Sequence, residues 1–262
     1  METVLLSDSS ADITKAAELI KNGHIVGIPT ETVYGLGADA TDENAVRGIF
    51  AAKGRPADNP LIVHLADFSD AVNYTAEIPE LAYRLAERFC PGPLTIVLPK
   101  NDRIPMVTSG GLDTVGIRVP SHPVMHRLIA ESGKPIAAPS ANISGYPSPT
   151  SAEHVMRDMN GRIAAVVDGG ESKFGVESTV ISIENEDTVR ILRPGCVTDE
   201  MLSEICGSVI IDHAILNELE AGEKAASPGM KYKHYSPKTE IIIVEASADE
   251  YTMFVNKEIE DG

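Results

Sequence analysis

The chain has no tryptophan and few other aromatic side chains, 5% in all, so it is poor in the stacking platforms that single-stranded nucleic-acid binders use. Its three cysteines, Cys90, Cys196 and Cys206, are odd in number and share no CxxC spacing. That argues against a disulfide framework and predicts reduced, mostly buried thiols in a reducing compartment. Basic residues are outnumbered, 22 Lys and Arg against 39 Asp and Glu, for a net charge of −17. Such a chain repels a phosphate backbone at long range, so it does not read as a general nucleic-acid binder. No signal-peptide pattern opens the chain and no apolar run approaches a membrane span; no membrane partner is expected, and the cytoplasm is the expected location. GxxxxGK[ST], GxGxxG and GxSxG are all missing, as is any His/Cys cluster with zinc spacing, so no protein-held metal is expected.

What is present suits a globular enzyme. With 43% apolar residues in 262, the chain can bury one large domain with an appendage. Residues 10–22 predict a helix: Ser10 can cap, Ile13, Ala16, Ala17 and Ile20 share a face, and Gly23 ends it. A buried strand follows at 24–28, closed by Pro29. Further helices are expected at 42–53, at 80–89 and from Pro123. Further strands are expected at 61–65, 94–98, 115–119, 136–138, 163–167, 179–183 and 189–192. The alternation means an α/β or α+β domain around a sheet of about seven strands. Past Val197 come a helix at 199–206 and a short strand at 209–212. Residues 1–216 therefore form the catalytic domain, 217–238 a Gly/Pro-punctuated linker, and 239–262 the start of a second domain, with a strand at 240–245 and then an acidic stretch.

Several loops at strand or helix ends carry the residue types that hold small anions. Pro29–Gly37 offers hydroxyls and glycines directly after a strand. Lys53-Gly54-Arg55 sets two cations around a glycine, and Pro56 and Pro60 stiffen the loop to Asn59; a phosphate clamp and a solvated helix end are both open readings. His64 ends an apolar strand, where a satisfied core histidine is the commoner outcome. Arg118, in the apolar strand 115–119, must either pair with an internal carboxylate or face a ligand. Ala138–Gly145, extended to Ser148, is rich in hydroxyls and holds Asn142. Glu177-Ser178-Thr179 and Arg193-Pro194-Gly195 repeat the style. The linker run 227–237 is basic and aromatic, including Tyr235, which suits a lid over a phosphate-bearing ligand.

Together these segments resemble the YrdC-like family of threonylcarbamoyl-AMP synthases, in its two-domain branch. The resemblance rests on PTETVYGLG at 29–37, KGRPADNPLIVH at 53–64, PGPLTIVL at 91–98, VGIRVP at 115–120, APSANISG at 138–145, ESTV at 177–180, RPG at 193–195 and SPGMKYKHYSP at 227–237. It implies an α/β fold with an open twisted mixed sheet and a deep, concave, positive cavity. It also implies a reaction: L-threonine, bicarbonate and ATP, the last with Mg2+, give threonylcarbamoyl-AMP and pyrophosphate. A downstream tRNA threonylcarbamoyl transferase complex would use the product, with direct tRNA binding by this acidic chain weak or absent. The resemblance places Thr32, His64, Arg118, Ala138 and Ser178 around threonine. It places Lys53, Arg55, Asn59, Thr114, Ser140, Asn142, Ser148 and Arg193 around ATP, with Tyr235 closing over the nucleotide; it supplies no catalytic nucleophile. A carbamoyl-adenylate step on another substrate, as in hydrogenase-maturation carbamoyltransferases, is the rival within the same fold.

Overall fold

The structure is a computed structural model in which residues 2–216 and 244–261 are described. Its strands are β1 (Val4–Leu6), β2 (Val26–Ile28), β3 (Gly35–Asp39), β4 (Ile62–His64), β5 (Leu94–Pro99), β6 (Thr114–Arg118), β7 (Ile136–Ala137), β8 (Ala165–Val167), β9 (Thr179–Asn185), β10 (Thr188–Arg193) and β11 (Ser208–Ile211). The helices are α1 (Ser10–Lys21), α2 (Glu43–Lys53), α3 (Glu80–Phe89), α4 (Pro123–Ser132), α5 (Ala152–Met159), α6 (Asp199–Ser203), α7 (His213–Leu216) and α8 (Ala248–Asp261). The strands form one open mixed sheet in the order β1-β8-β2-β3-β7-β4-β6-β5-β9-β10-β11.

Local chemistry explains most element ends. Ser9, not Ser10 as expected, caps α1 by accepting from the Asp12 amide, and Asp42 caps α2 by accepting from Asn44 and Ala45. Pro123 opens α4 in the first helical turn, where its missing N–H costs nothing. Gly54 and Gly133 end α2 and α4 in the left-handed conformation, at φ 63° and 62°, which glycine adopts without strain.

Side-chain alternation then assigns the two sheet faces. On β8, Ala165 and Val167 join a core with α1 and α4, while Val166 joins the larger core with α2, α3 and α5. Buried Ile13 and Ile20 of α1 meet Met125 and Leu128 of α4 in the first. Ile49, Phe50, Leu81 and Leu85 anchor the second.

The sheet has eleven strands rather than about seven. β3 escaped notice because Gly35-Leu36-Gly37-Ala38-Asp39 has low strand propensity. Its glycine is required by packing: a Cβ on Gly37 would lie 2.1 Å from Ile28 Cδ1 on β2. The tail at 248–261 is a helix, where the sequence suggested only an acidic stretch. The linker at 217–238, and all but Val244 and Glu245 of the expected strand at 240–245, lie outside the described residues. Those two residues have no regular structure. Cys90 and Cys196 are half-buried, Cys206 is buried, and none is in a disulfide. No described helix is long and apolar enough to cross a membrane.

Candidate active site

Residues at or just beyond the ends of five strands line one cleft. β2 leads into Thr30 and Thr32, β4 ends on His64, β6 on Arg118, β7 leads into Ala138, Pro139 and Ser140, and β10 ends on Arg193. β2 and β7 run opposite to β4, β6 and β10, so the cleft lies across a face of the sheet, walled by loops from both of its edges.

The threonine-side expectations converge: Thr32, His64, Arg118, Ala138 and Ser178 all line this cleft. Register explains the pairing of two of them. β4 and β6 run parallel with His64 opposite Arg118, and Thr95 on β5 lies opposite Arg118 on its other side. Residues in register share a sheet face, so the imidazole and the guanidinium stand side by side.

Arg118 resolves its two open readings by satisfying both. It lines the cleft, and its Nη2 donates to Glu31 Oε1 at 2.7 Å, with both side chains 5% exposed. Nε also reaches the Gly92 carbonyl at 3.4 Å. The second Glu31 oxygen, Oε2, is buried with no hydrogen-bond partner among the described residues. A guanidinium at this depth needs such a counter-charge, since an isolated buried ion costs several kcal/mol.

His64 is a neutral imidazole. Burial first, and the Arg118 charge second, push its pKa down to about 3. Its Nδ1 lies 3.2 Å from the Ile136 carbonyl. A carbonyl only accepts, so Nδ1 carries the hydrogen and Nε2 keeps a lone pair. The depressed pKa has a stability consequence. The unfolded chain takes up this proton near 6.5 and the folded chain only near 3, so stability present above pH 6.5 is lost as pH falls through that window. The expected slope is up to about 1.4 kcal/mol per pH unit. Urea unfolding at pH 6.5 and 5.0 should show it, and His64→Gln should remove most of it.

The phosphate-side expectations divide. Arg55, Ser140 and Arg193 line the cleft; Lys53, Asn59, Thr114, Asn142 and Ser148 do not; Tyr235 lies outside the described residues. Arg193 also braces the wall: its Nε and Nη2 donate to the Ser178 carbonyl at 3.1 and 2.9 Å, and Nη2 reaches Ser178 Oγ at 3.1 Å. The Ser178 hydroxyl meets Thr95 Oγ1 at 2.8 Å. Asn59 is buried with Oδ1 unpartnered among the described residues. Thr114 stands at the other end of β6 from Arg118, four residues or about 13 Å away.

Lys53 corrects the picture of a charge beside the phosphates. It is 2% exposed, and its ammonium donates to the carbonyls of Ser140 and of Asn142, the latter at 2.7 Å, with Asn142 Oδ1 at 3.4 Å. Burial, and then the nearby Arg55 charge, pull its pKa down to about 7, while the Asp158 and Glu177 carboxylates help hold the proton. The Asn142 amide is likewise spent inside its own loop. Its Oδ1 accepts from Ser140 Oγ at 2.6 Å and its Nδ2 donates to the carbonyls of Ile143 and Tyr146 at 2.9 and 2.7 Å. Both residues shape the Ser140 loop from behind rather than line the cleft.

The motif at 29–37 is held just as firmly. Thr30 Oγ1 donates to the Val33 carbonyl at 2.6 Å. The Tyr34 hydroxyl donates to the Gly170 carbonyl at 2.6 Å and accepts from the Gly169 amide at 3.2 Å. Burial pushes that phenol up to about 12, so it remains a donor. The amides of Phe174 and Gly175 donate to the carbonyls of Glu31 and Thr32.

Four cleft-lining residues were passed over in the sequence although they lie in motifs quoted for other reasons: Thr30, Val33, Gly35 and Glu177. Glu177 accepts a hydrogen bond from the Ser148 hydroxyl. Ile62 and Pro139 are the other two; nothing in a strand residue's identity tells which end of a sheet it faces. Among the described residues no group of three or more His, Cys, Asp and Glu side chains could hold a metal ion. The carboxylate of Glu177 is a hard oxygen donor, which fits a magnesium ion arriving with a nucleotide, since Mg2+ keeps waters and takes few protein ligands.

Comparison with known proteins identifies the family. The family model Sua5_yciO_yrdC, described as "Telomere recombination", matches residues 18–195, and the model for the threonylcarbamoyl-AMP synthase C-terminal domain matches 197–261. That second match begins ahead of the boundary expected at 217. The threonylcarbamoyl-AMP synthase of Pyrococcus abyssi is 52% identical over 94% of this chain and 70% of its own length. The Bacillus subtilis enzyme of the same name is 50% identical over 93% and 70%. The crystal structure of P. abyssi Sua5 complexed with L-threonine superposes with a TM-score of 0.92 at 48% identity, covering 100% of this chain and 76% of that one. The chain belongs to the Sua5–YciO–YrdC family, in its Sua5-type two-domain branch.

Proposed function

We infer that this chain is an L-threonylcarbamoyladenylate synthase: it forms threonylcarbamoyl-AMP and pyrophosphate from L-threonine, bicarbonate and ATP, for the threonylcarbamoyladenosine modification of tRNA. The observation that carries it is one cleft lined by two groups of residues. A neutral imidazole beside a paired arginine marks one group, and Arg55 and Arg193 with the Ser140 loop mark the other. Relatives bearing this activity in their names share half of the chain's residues over nearly all of its length.

In this reading Arg118 takes the threonine carboxylate, with Thr32, His64, Ala138 and Ser178 enclosing the rest of the amino acid. Arg55, Ser140 and Arg193 take the triphosphate, with Asn59, Thr114, Ser148 and Tyr235 on the nucleotide side and Lys53 and Asn142 shaping the Ser140 loop. The neutral amine of threonine attacks the carbon of bicarbonate-derived carbon dioxide, losing a proton as the carbamate forms. A carbamate oxygen then attacks the α-phosphorus, and the bond to the β-phosphate oxygen breaks, releasing pyrophosphate. Negative charge gathers in both steps, and fixed arginines stabilise it without reorganising. His64 is too weak a base to take the amine proton; it orients by accepting at Nε2. Magnesium, bound with ATP, would screen the phosphates, and Glu177 carries the donor suited to it.

The product is a reactive mixed anhydride, so the next reaction must be a group transfer, here to the adenosine of a tRNA through a downstream transferase complex. The acidic net charge favours handing over the adenylate rather than gripping the tRNA, and the cytoplasm is the proposed setting. The test is pyrophosphate release in the presence of ATP and bicarbonate, with mass spectrometry of the adenylate. Release is expected only when threonine is added. Threonine-independent release, or release driven by carbamoyl phosphate in its place, overturns the assignment.

A further inference from the structure

The hydrogen bonds around Ser178 fix where its hydroxyl hydrogen goes. Ser178 Oγ accepts from Arg193 Nη2 at 3.1 Å and lies 2.8 Å from Thr95 Oγ1. Thr95 is fully buried, and among the described residues its hydroxyl has no other hydrogen-bond partner. If Ser178 donated to Thr95, the Thr95 hydrogen would be buried without an acceptor, which is the costly outcome. Thr95 therefore donates. With Arg193 and Thr95 on its two lone pairs, the Ser178 oxygen has no accepting capacity left. Its own hydrogen remains, and Ser178 lines the cleft.

The sheet sets Thr95 up for this. Thr95 stands opposite Arg118 on β6 and opposite Val180 on β9, so the three side chains share a sheet face. Its methyl lies over Gly116 on β6, where a Cβ would come within 3.0 Å of it. A β-branched side chain with its methyl pinned on one side keeps its hydroxyl on the other, toward Ser178 ahead of β9.

We propose that Thr95 is a positioning residue for the amino-acid substrate: by donating to Ser178 it makes that serine a hydrogen-bond donor only, which with Arg118 receives the substrate's carboxylate. This role rests on the threonine reading above and deepens it. Neighbouring groups have the opposite polarity. Thr30 spends its hydrogen on the Val33 carbonyl, so Thr32 donates to Thr30 and keeps lone pairs, as His64 does at Nε2. Donors for a carboxylate and acceptors for an amine are thus both fixed before the substrate arrives.

The experiment is calorimetric binding of threonine, and separately of ATP, to the full chain: unsubstituted, Thr95→Val, Thr95→Ser, Ser178→Ala, and Thr95→Val/Ser178→Ala. Thr95→Val should weaken threonine about three- to tenfold, the size of one net hydrogen bond, and leave ATP unchanged. Thr95→Ser, which restores the donor, should recover most of the loss. The double variant should bind threonine no more weakly than Ser178→Ala alone, because Thr95 acts through that hydroxyl. Should valine disturb the packing, seen as a lowered thermal midpoint, Thr95→Ala completes the same cycle. Additive losses in the double variant, equal weakening of ATP, or threonine affinity unchanged by Thr95→Val overturns the role while the threonine reading stands. An unsubstituted protein that does not bind threonine takes down both.

Discussion

Replacing Arg118 with alanine is expected to weaken threonine by roughly 30- to 700-fold, the equivalent of about 2–4 kcal/mol for a lost charge-assisted partner, and to leave ATP nearly unchanged. The same substitution strands the buried carboxylate of Glu31, whose Oε1 has lost its 2.7 Å partner and whose Oε2 had none among the described residues. Breaking a buried pair from one side costs about 3–5 kcal/mol of stability, so the single variant alone would confuse misfolding with lost binding. The double variant Glu31→Gln/Arg118→Ala separates them. It has no buried charge to strand, and most of the lost thermal stability should return. Threonine binding, measured by calorimetry, should not return with it. Recovery of threonine affinity in the double variant, or an equal loss of ATP in the single one, would remove Arg118 from the amino-acid half of the cleft.

The second large effect is expected at Lys53, a residue that does not line the cleft at all. Lys53→Met keeps the stem and deletes the ammonium that holds the carbonyls of Ser140 and Asn142. Two buried acceptors then lose their donor, and at about 1–3 kcal/mol each the stability loss should be about 2–6 kcal/mol. The local signature should be sharper than the global one. Amide hydrogen exchange should accelerate at Ala141, Ile143 and Ser144, whose N–H groups donate to the Tyr34 carbonyl, the Asp158 carboxylate and the Lys53 carbonyl. ATP should weaken through the displaced Ser140, while threonine holds at the Arg118 end. Unchanged exchange in residues 140–144, with ATP weakened all the same, would return Lys53 to a direct role at the phosphates.

These two residues mark where sequence reasoning succeeded and where it stopped. That Arg118 has a special duty follows from its place in an apolar strand, because a lone guanidinium there is too costly to be incidental. That Glu31 is its partner could not be read, since 87 positions separate them and only the register of β4, β6 and β5 brings the strand end to the Thr30–Tyr34 turn. Lys53 could be read as a phosphate clamp or as a cation at a helix end, and the resemblance put it beside ATP. The Gly54 turn redirects the chain there, and the loop from Ala138 comes to rest on the side chain, burying it. β3 was hidden for a related reason: its glycines look like a turn until the close approach to Ile28 makes them necessary.

By itself the sequence determined the alternating α/β order, the extents of α1 and α2, and a set of loops at strand ends that carry hydroxyls, amides and cations. These depend on short-range chemistry: periodicity, capping groups and the cost of burying a lone charge. Only the tertiary structure decided which loops share one cleft, that His64 is neutral, that Lys53 lies behind the cleft wall, and that Glu177 lines the cleft with three arginines. Those properties depend on which distant residues displace water from one another. That is a matter of sheet order and register, and no single segment carries it.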